Sequence, residues 1–182
     1  MSKKRRNAVP PAGKTKNQVP TAQQCQCSNN DRVYFTFIYS NWLSSFEEKE
    51  FTTFLKNESM YSFQMTYLFG YLIPKISEEW IKKGTTPEFS HCHMVKKEDK
   101  SYNKYINTIR HLHPSIDTDS LTIWQLGFKV NSMRLICHKE ATRGTFIPLL
   151  IDYHHLGNVD KHYNQSDYTS YKFCPWSNYL SK

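Results

Sequence analysis

Three short runs decide the reading: Ile123-Trp124-Gln125-Leu126-Gly127-Phe128-Lys129-Val130, then Met133-Arg134-Leu135-Ile136-Cys137-His138, then Phe146-Ile147-Pro148-Leu149-Leu150-Ile151. In the first, Trp124, Leu126, Phe128 and Val130 alternate with Gln125, Gly127 and Lys129. In the second, Met133, Leu135 and Cys137 alternate with Arg134, Ile136 and His138. A period of two is that of a strand, whose successive side chains point to opposite faces. The third run is almost wholly apolar, as a central strand is. The pattern predicts adjacent antiparallel strands over residues 122–130, 133–139 and 145–153, with Trp124 and Leu135 buried. Pro148 cannot donate to a ladder, which predicts a bulge or an unpaired edge there.

Upstream the signal is mixed. Val33 to Tyr39 is β-branched and aromatic, which suits a strand. Ser44 or Ser45 with Glu47 or Glu48 makes a capping box, predicting a helix that carries Phe46, Phe51, Phe54 and Leu55. A second helix is expected from Ser59, with Met60, Phe63, Tyr67, Ile73, Ile76 and Trp80 near one face, a kink at Pro74 and an end at Gly84 to Pro87. A third is expected over residues 101–112, with Tyr105, Ile106 and Ile109 inward and His113-Pro114 as its stop. The expected class is α+β: a small twisted antiparallel sheet with helices packed on one side.

Residues 1–30 hold Lys3, Lys4, Arg5, Arg6, Lys14 and Lys16 and no acid, six of the eight excess positive charges of the chain. With so few apolar groups, such a segment cannot offset its ordering entropy, so it is read as a disordered basic tail before a single domain over 31–182. A polycation of this kind is drawn to any polyanion. The five cysteines are odd in number and scattered, which argues against a disulfide framework and for a reducing, cytoplasmic setting. The opening residues lack the apolar core of a signal peptide, and Met60 to Pro74 is too short and too polar to span a bilayer. No membrane partner is expected.

The candidate chemistry lies around the strands. Lys129, Arg134, His138 and one of His154 and His155 can converge on one face, since the third strand ends in Asp152-Tyr153-His154-His155. A histidine near its ordinary pKa serves as acid or base, and an arginine presents a planar fork to phosphate oxygens. That set suits RNA cleavage with no metal or other cofactor. The opposing reading is a surface ion pair for Arg134 and strand-end capping by the histidines. Metal binding is the rival for His91-Cys92-His93, Cys137-His138, His154-His155 and Cys25-Gln26-Cys27. His91 and His93 on a strand share a face and could form half a zinc site, but the spacing of paired ligands typical of zinc is missing. Fragments of an HNH nuclease are present in the wrong order. There is no Walker or Rossmann loop and no nucleophile elbow. Asp117, Asp119 and Asp152 read as turn or capping residues.

The runs Trp124 to Lys129, Met133 to Cys137, Phe146 to Ile151 and Tyr153-His154-His155 resemble the RelE/YoeB/HigB toxin superfamily over about residues 120–156. The resemblance implies an mRNA endonuclease acting usually on the ribosome and restrained by an antitoxin. It implies phosphate contact by Arg134 and proton transfer by His154, His155 or Tyr153, with Lys129 beside them. His138, Lys139, Arg143 and Arg110 are the further residues expected to meet RNA. The chain departs from that family in its length, in Gly127 where a basic residue is common, and in the helical stretch from Met60 to Lys83. The alternative reading is a non-catalytic interaction protein of a mobile element or phage, to which aromatic surface would be suited.

Overall fold

A computed structural model describes residues 32–83, 86–141, 144–158 and 166–181, all within one compact unit, Asp31–Lys182. The basic tail expected over residues 1–30 lies outside the described residues. Among them is a five-stranded sheet in the order β1-β7-β6-β5-β4. The strands are β1 (Tyr34–Phe35), β4 (His93–Met94), β5 (Ile123–Leu126), β6 (Arg134–Lys139) and β7 (Thr145–Asp152). β5, β6 and β7 form the expected antiparallel meander, β4 adds antiparallel to β5, and β1 adds parallel to β7. Leu135 is fully buried, whereas Trp124 is half-buried.

The bulge expected near Pro148 is present. Ile136 faces Leu150 and Cys137 faces Pro148, so Leu149 has no cross-strand partner. The ladder slips by one residue beside the proline that cannot donate to it. The Leu149 carbonyl is instead engaged by His113 Nε2 at 2.7 Å.

The α+β class holds, but the helices divide between the two faces of the sheet instead of lying on one. The reason is in the central strands, which are apolar on both sides and need cover on both. Leu135, Cys137 and Phe146 pack with Leu68, Leu72 and Ile76. Those three come from α1 (Glu58–Tyr67), a π-helical turn (Leu68–Leu72) and α2 (Ile73–Lys83). On the opposite face Ile123, Ile136 and Leu150 pack with Tyr105, Ile106 and Ile109 of α3 (Lys100–Leu112). The π turn also accommodates Pro74. The Ile73 N–H reaches back five residues to Leu68 O, so the proline enters where the ladder has already widened.

The helix expected after Ser44 is not formed. In its place are a 3-10 turn (Ser40–Leu43) and a hairpin of β2 (Glu47–Glu48) and β3 (Phe51–Thr52). Thr52 and Thr53 are β-branched and serve the hairpin better than a helix. Thr53 Oγ1 accepts the Phe46 N–H at 2.8 Å, and the Thr53 N–H returns to Phe46 O at 2.9 Å. The second helix begins one residue before Ser59, because Asn57 is its cap and accepts the Met60 N–H at 3.0 Å. The strand expected over Val33 to Tyr39 shortens to β1. A short helix, α4 (Pro175–Leu180), closes the described chain.

Candidate functional site

Of the residues expected to act together, three are locked inside the protein. Arg134, Tyr153 and His154 are only 3%, 2% and 3% exposed. Tyr153 packs its ring in the core under α1 and α2, on the face opposite Arg134, and burial raises its pKa. Its hydroxyl cannot exchange protons with an external substrate. The His154 ring stacks on Tyr168 with centroids 4.1 Å apart, and its Nε2 lies 2.8 Å from Phe54 O. Burial lowers its pKa, so the imidazole is neutral and structural. Neither Tyr153 nor His154 can be the acid or base that the sequence suggested.

The other expected contacts scatter. His138 shares the Arg134 side of β6 by parity, but it is four residues away, roughly 13 Å along a strand. There its Nδ1 accepts the Thr122 N–H at 3.1 Å. Lys139 lies on the other face with its ammonium over Trp124, Phe146 and Trp80, at 4.6, 5.6 and 5.7 Å from the ring centroids. Arg110 donates to Thr118 Oγ1 at 3.0 Å and pairs with Asp119 at 3.8 Å. Arg143 lies outside the described residues.

A different set does converge, at one end of the sheet on the α3 face. His93 is the cross-strand partner of Gln125, and Arg134 is the partner of Asp152. Leu126 faces Leu135, so one step further Gly127 faces Arg134. The missing side chain at Gly127 matters, since a Cβ there would stand 2.6 Å from Arg134 Cδ. Arg134 turns into this space and braces the β5–β6 connection. Its Nη1 donates to Asn131 O (2.7 Å), Met133 O (2.9 Å) and Phe128 O (3.4 Å). Its Nε, however, is buried with no acceptor among the described residues. An unpaired buried donor is costly and invites an explanation.

Above this row sits Tyr105, fully buried on α3, with its hydroxyl 3.2 Å from Asp152 Oδ2 and 3.3 Å from Gln125 Oε1. Asp152 is fully buried and also accepts backbone N–H groups from His154 (3.3 Å), Leu156 (3.0 Å) and Gly157 (2.8 Å). The chain therefore wraps around one carboxylate just after β7. Gly157 must lack a side chain, because a Cβ would lie 1.9 Å from the Tyr105 hydroxyl. Between these anchors His155 adopts φ 59°, a left-handed conformation that costs a non-glycine residue roughly 1–2 kcal/mol. Such strain persists only where surrounding contacts over-determine it.

His155 is half-buried, and its ring meets that of His91 edge-on with centroids 6.5 Å apart. His93 Nε2 is 3.4 Å from Gln125 Nε2. Burial lowers the pKa of His91, and the positive charges of Arg134, His93 and Lys129 lower it further. Lys129 is exposed on the β5–β6 connection. Arg134 is the cation set beside a carboxylate already shared among four donors. His91 and His155 are partly exposed imidazoles of the cluster. The strand expected to put His91 and His93 on one face begins only at His93, with His91 in the preceding turn, and Cys92 donates to Gly127 O at 3.4 Å. Among the described residues no three His, Cys, Asp or Glu groups are placed to hold a metal ion.

Reading the sequence missed His91 and His93 because it weighed them only as metal ligands. It read Asp152 as a capping residue, which is what its carboxylate does.

The family model described as "Uncharacterised protein UU032" matches residues 38–181, a span that includes the whole polar cluster. "Uncharacterized protein UU032" of Ureaplasma parvum serovar 3 is 34% identical to this chain over 182 residues, covering 98% of this chain and 97% of that one. The chain belongs to the UU032 family. No solved structure matches it.

Proposed function

We propose that this member of the UU032 family is an endoribonuclease that cleaves RNA by histidine acid/base catalysis. The reading rests on one observation: His91, His93, His155, Lys129 and Arg134, from four separate stretches of sequence, meet at one end of the sheet. His91, held neutral, accepts the proton of the 2′-hydroxyl as the 2′-oxygen attacks phosphorus. Exposed Lys129 stabilises the charge gained on the phosphoryl oxygens, and buried Arg134 adds its field from behind the β5–β6 connection that it braces. His155 gives a proton to the leaving 5′-oxygen, so the products are a 2′,3′-cyclic phosphate and a 5′-hydroxyl. Side chains supply the acid, the base and the charge stabilisation, and the mechanism calls for no metal ion. The resemblance of residues 120–156 to RelE/YoeB/HigB toxins supports the same substrate class, with the ribosome and an antitoxin as partners in the cytoplasm. Among the described residues no helix is long and apolar enough to cross a membrane.

The test is cleavage of end-labelled RNA, free in the presence of EDTA and ribosome-bound in magnesium buffer. Wild type should cleave, and His91→Ala or His155→Ala should each lower the rate about a hundredfold or more. Wild type that cleaves neither substrate overturns the reading. In that case the non-catalytic interaction protein stands. One observation favours it: Phe63, Phe69 and Phe37 are 65%, 51% and 46% exposed, with Phe37 and Phe69 6.1 Å apart.

A further inference from the structure

A cleft of about 370 Å³ opens between the β2–β3 hairpin and α3, a volume in the range of small-molecule sites. Asn103 and Asn107 line one wall. They are four residues apart and so neighbours on one face of α3. Glu48 and Glu50 line the other wall, and Phe51 is the apolar floor. Among the described residues, no hydrogen bond or ion pair engages the side chains of Asn103, Asn107, Glu48 or Glu50. Lys49, at the hairpin turn and on the rim, has φ 52°, a left-handed conformation that turns usually give to glycine or asparagine. The two glutamates flank it on either side of the turn.

The cleft is built onto the candidate cleavage site by two contacts. Lys104, which also lines it, donates to Leu156 O at 2.9 Å, next to His155. Phe51 meets Tyr105 edge-on at 6.0 Å, and Tyr105 is the residue that holds Asp152. One lining residue of the cleft therefore touches the backbone of the residue that follows His155.

We infer that the cleft is a nucleobase subsite that selects adenine over uracil. The inference rests on the RNA-cleaving reading for its role beside the histidines. The chemistry of selection comes from the walls. An asparagine amide accepts from the N6 amine of adenine and donates to N7. The carboxylates accept from the same amine. Uracil presents a carbonyl oxygen where adenine has that amine, so the carboxylates meet an acceptor and lose the contact.

Adenosine and uridine serve as probes, because neither carries a phosphate for the histidine cluster to hold. Their binding to the full chain is measured by equilibrium dialysis, for wild type, His91→Ala/His155→Ala and Asn103→Ala/Asn107→Ala, alongside RNA cleavage. Adenosine should bind about tenfold more tightly than uridine, or better, in the first two proteins. Asn103→Ala/Asn107→Ala should erase the difference without changing the melting temperature, since both amides are exposed. Glu50→Gln should narrow it. Equal binding of the two nucleosides, no binding of either, or a preference that survives Asn103→Ala/Asn107→Ala overturns the inference, whatever the cleavage result. A preference that needs the asparagines in a protein that does not cleave RNA keeps the cleft and removes the cleavage reading.

Discussion

His154 and His155 are consecutive in the chain and belong to different regions of the molecule. His154 faces an aromatic pocket, stacked on Tyr168 and bonded to Phe54 O, with 3% of its surface exposed. His155 is half-buried, strained to φ 59°, and turned toward His91. The first region is dry and fixes one histidine in one tautomeric role. The second sets His155 against His91, in the field of Lys129 and Arg134. One residue type therefore carries two meanings, set by the side of the Asp152 turn on which it falls.

The most damaging way to break this contrast is to remove the carboxylate that creates it. Asp152→Ala leaves three backbone N–H groups without their acceptor, the Tyr105 hydroxyl with Gln125 Oε1 alone, and Arg134 without the carboxylate beside it, all in a buried site. Loss of about 3–5 kcal/mol of stability is expected in denaturant unfolding. A loss under about 1 kcal/mol would mean that the turn does not depend on Asp152. Gly157→Ala should cost about 1–3 kcal/mol, because the new Cβ meets the buried Tyr105 hydroxyl.

Acid should act on the dry region. His154 and His113 have pKa values lowered by burial, and His113 is likewise bonded to a carbonyl, Leu149 O. Below the ordinary histidine value of about 6.5 the unfolded chain takes up protons that the folded chain refuses. Their contribution to stability is thus complete above that value. It is lost as pH falls through the lowered folded values, by up to about 1.4 kcal/mol per unit for each histidine. A melting-temperature scan from pH 7.5 to 5 should show this slope, and His154→Gln should make it shallower while His113 and His91 keep the remainder. An unchanged slope in His154→Gln would show that His154 is not held neutral.

The smallest effect sharpens the second region. His155→Gly relieves the left-handed backbone and should raise stability by about 1 kcal/mol, while removing the proposed acid. A variant that gains stability as it loses cleavage marks a residue kept for function. A variant that loses more than about 1 kcal/mol of stability marks His155 as structural.

Some of this was legible in the chain. The alternation through Trp124 to Cys137 fixed the meander, and Pro148 announced the bulge that falls at Leu149. The hairpin at Glu47 to Thr52 was hidden by a capping-box pattern, because Ser45 and Glu48 suit either structure until Thr53 supplies its bond to Phe46. Helices on both faces were implied by the apolar character of β6 and β7, a signal outweighed by the resemblance to a family with one covered face. Arg134 does lie opposite Leu135, but the face it shares with Ile136 is a second core and not an open polar surface. Its role as a brace could not be read, because it depends on the space left by Gly127, seven residues earlier. His91 was out of reach of any local pattern, since it meets His155 only after the sheet has formed.

The central claim is that the functional histidine of the pair is His155, and one comparison tests it most directly. Single-turnover RNA cleavage is measured for His154→Gln and His155→Gln, each at a pH and temperature where the protein is folded. His155→Gln should fall about a hundredfold or more below wild type, while His154→Gln cleaves at nearly the wild-type rate per folded molecule. Loss confined to His154→Gln, or equal loss in both, would contradict the account.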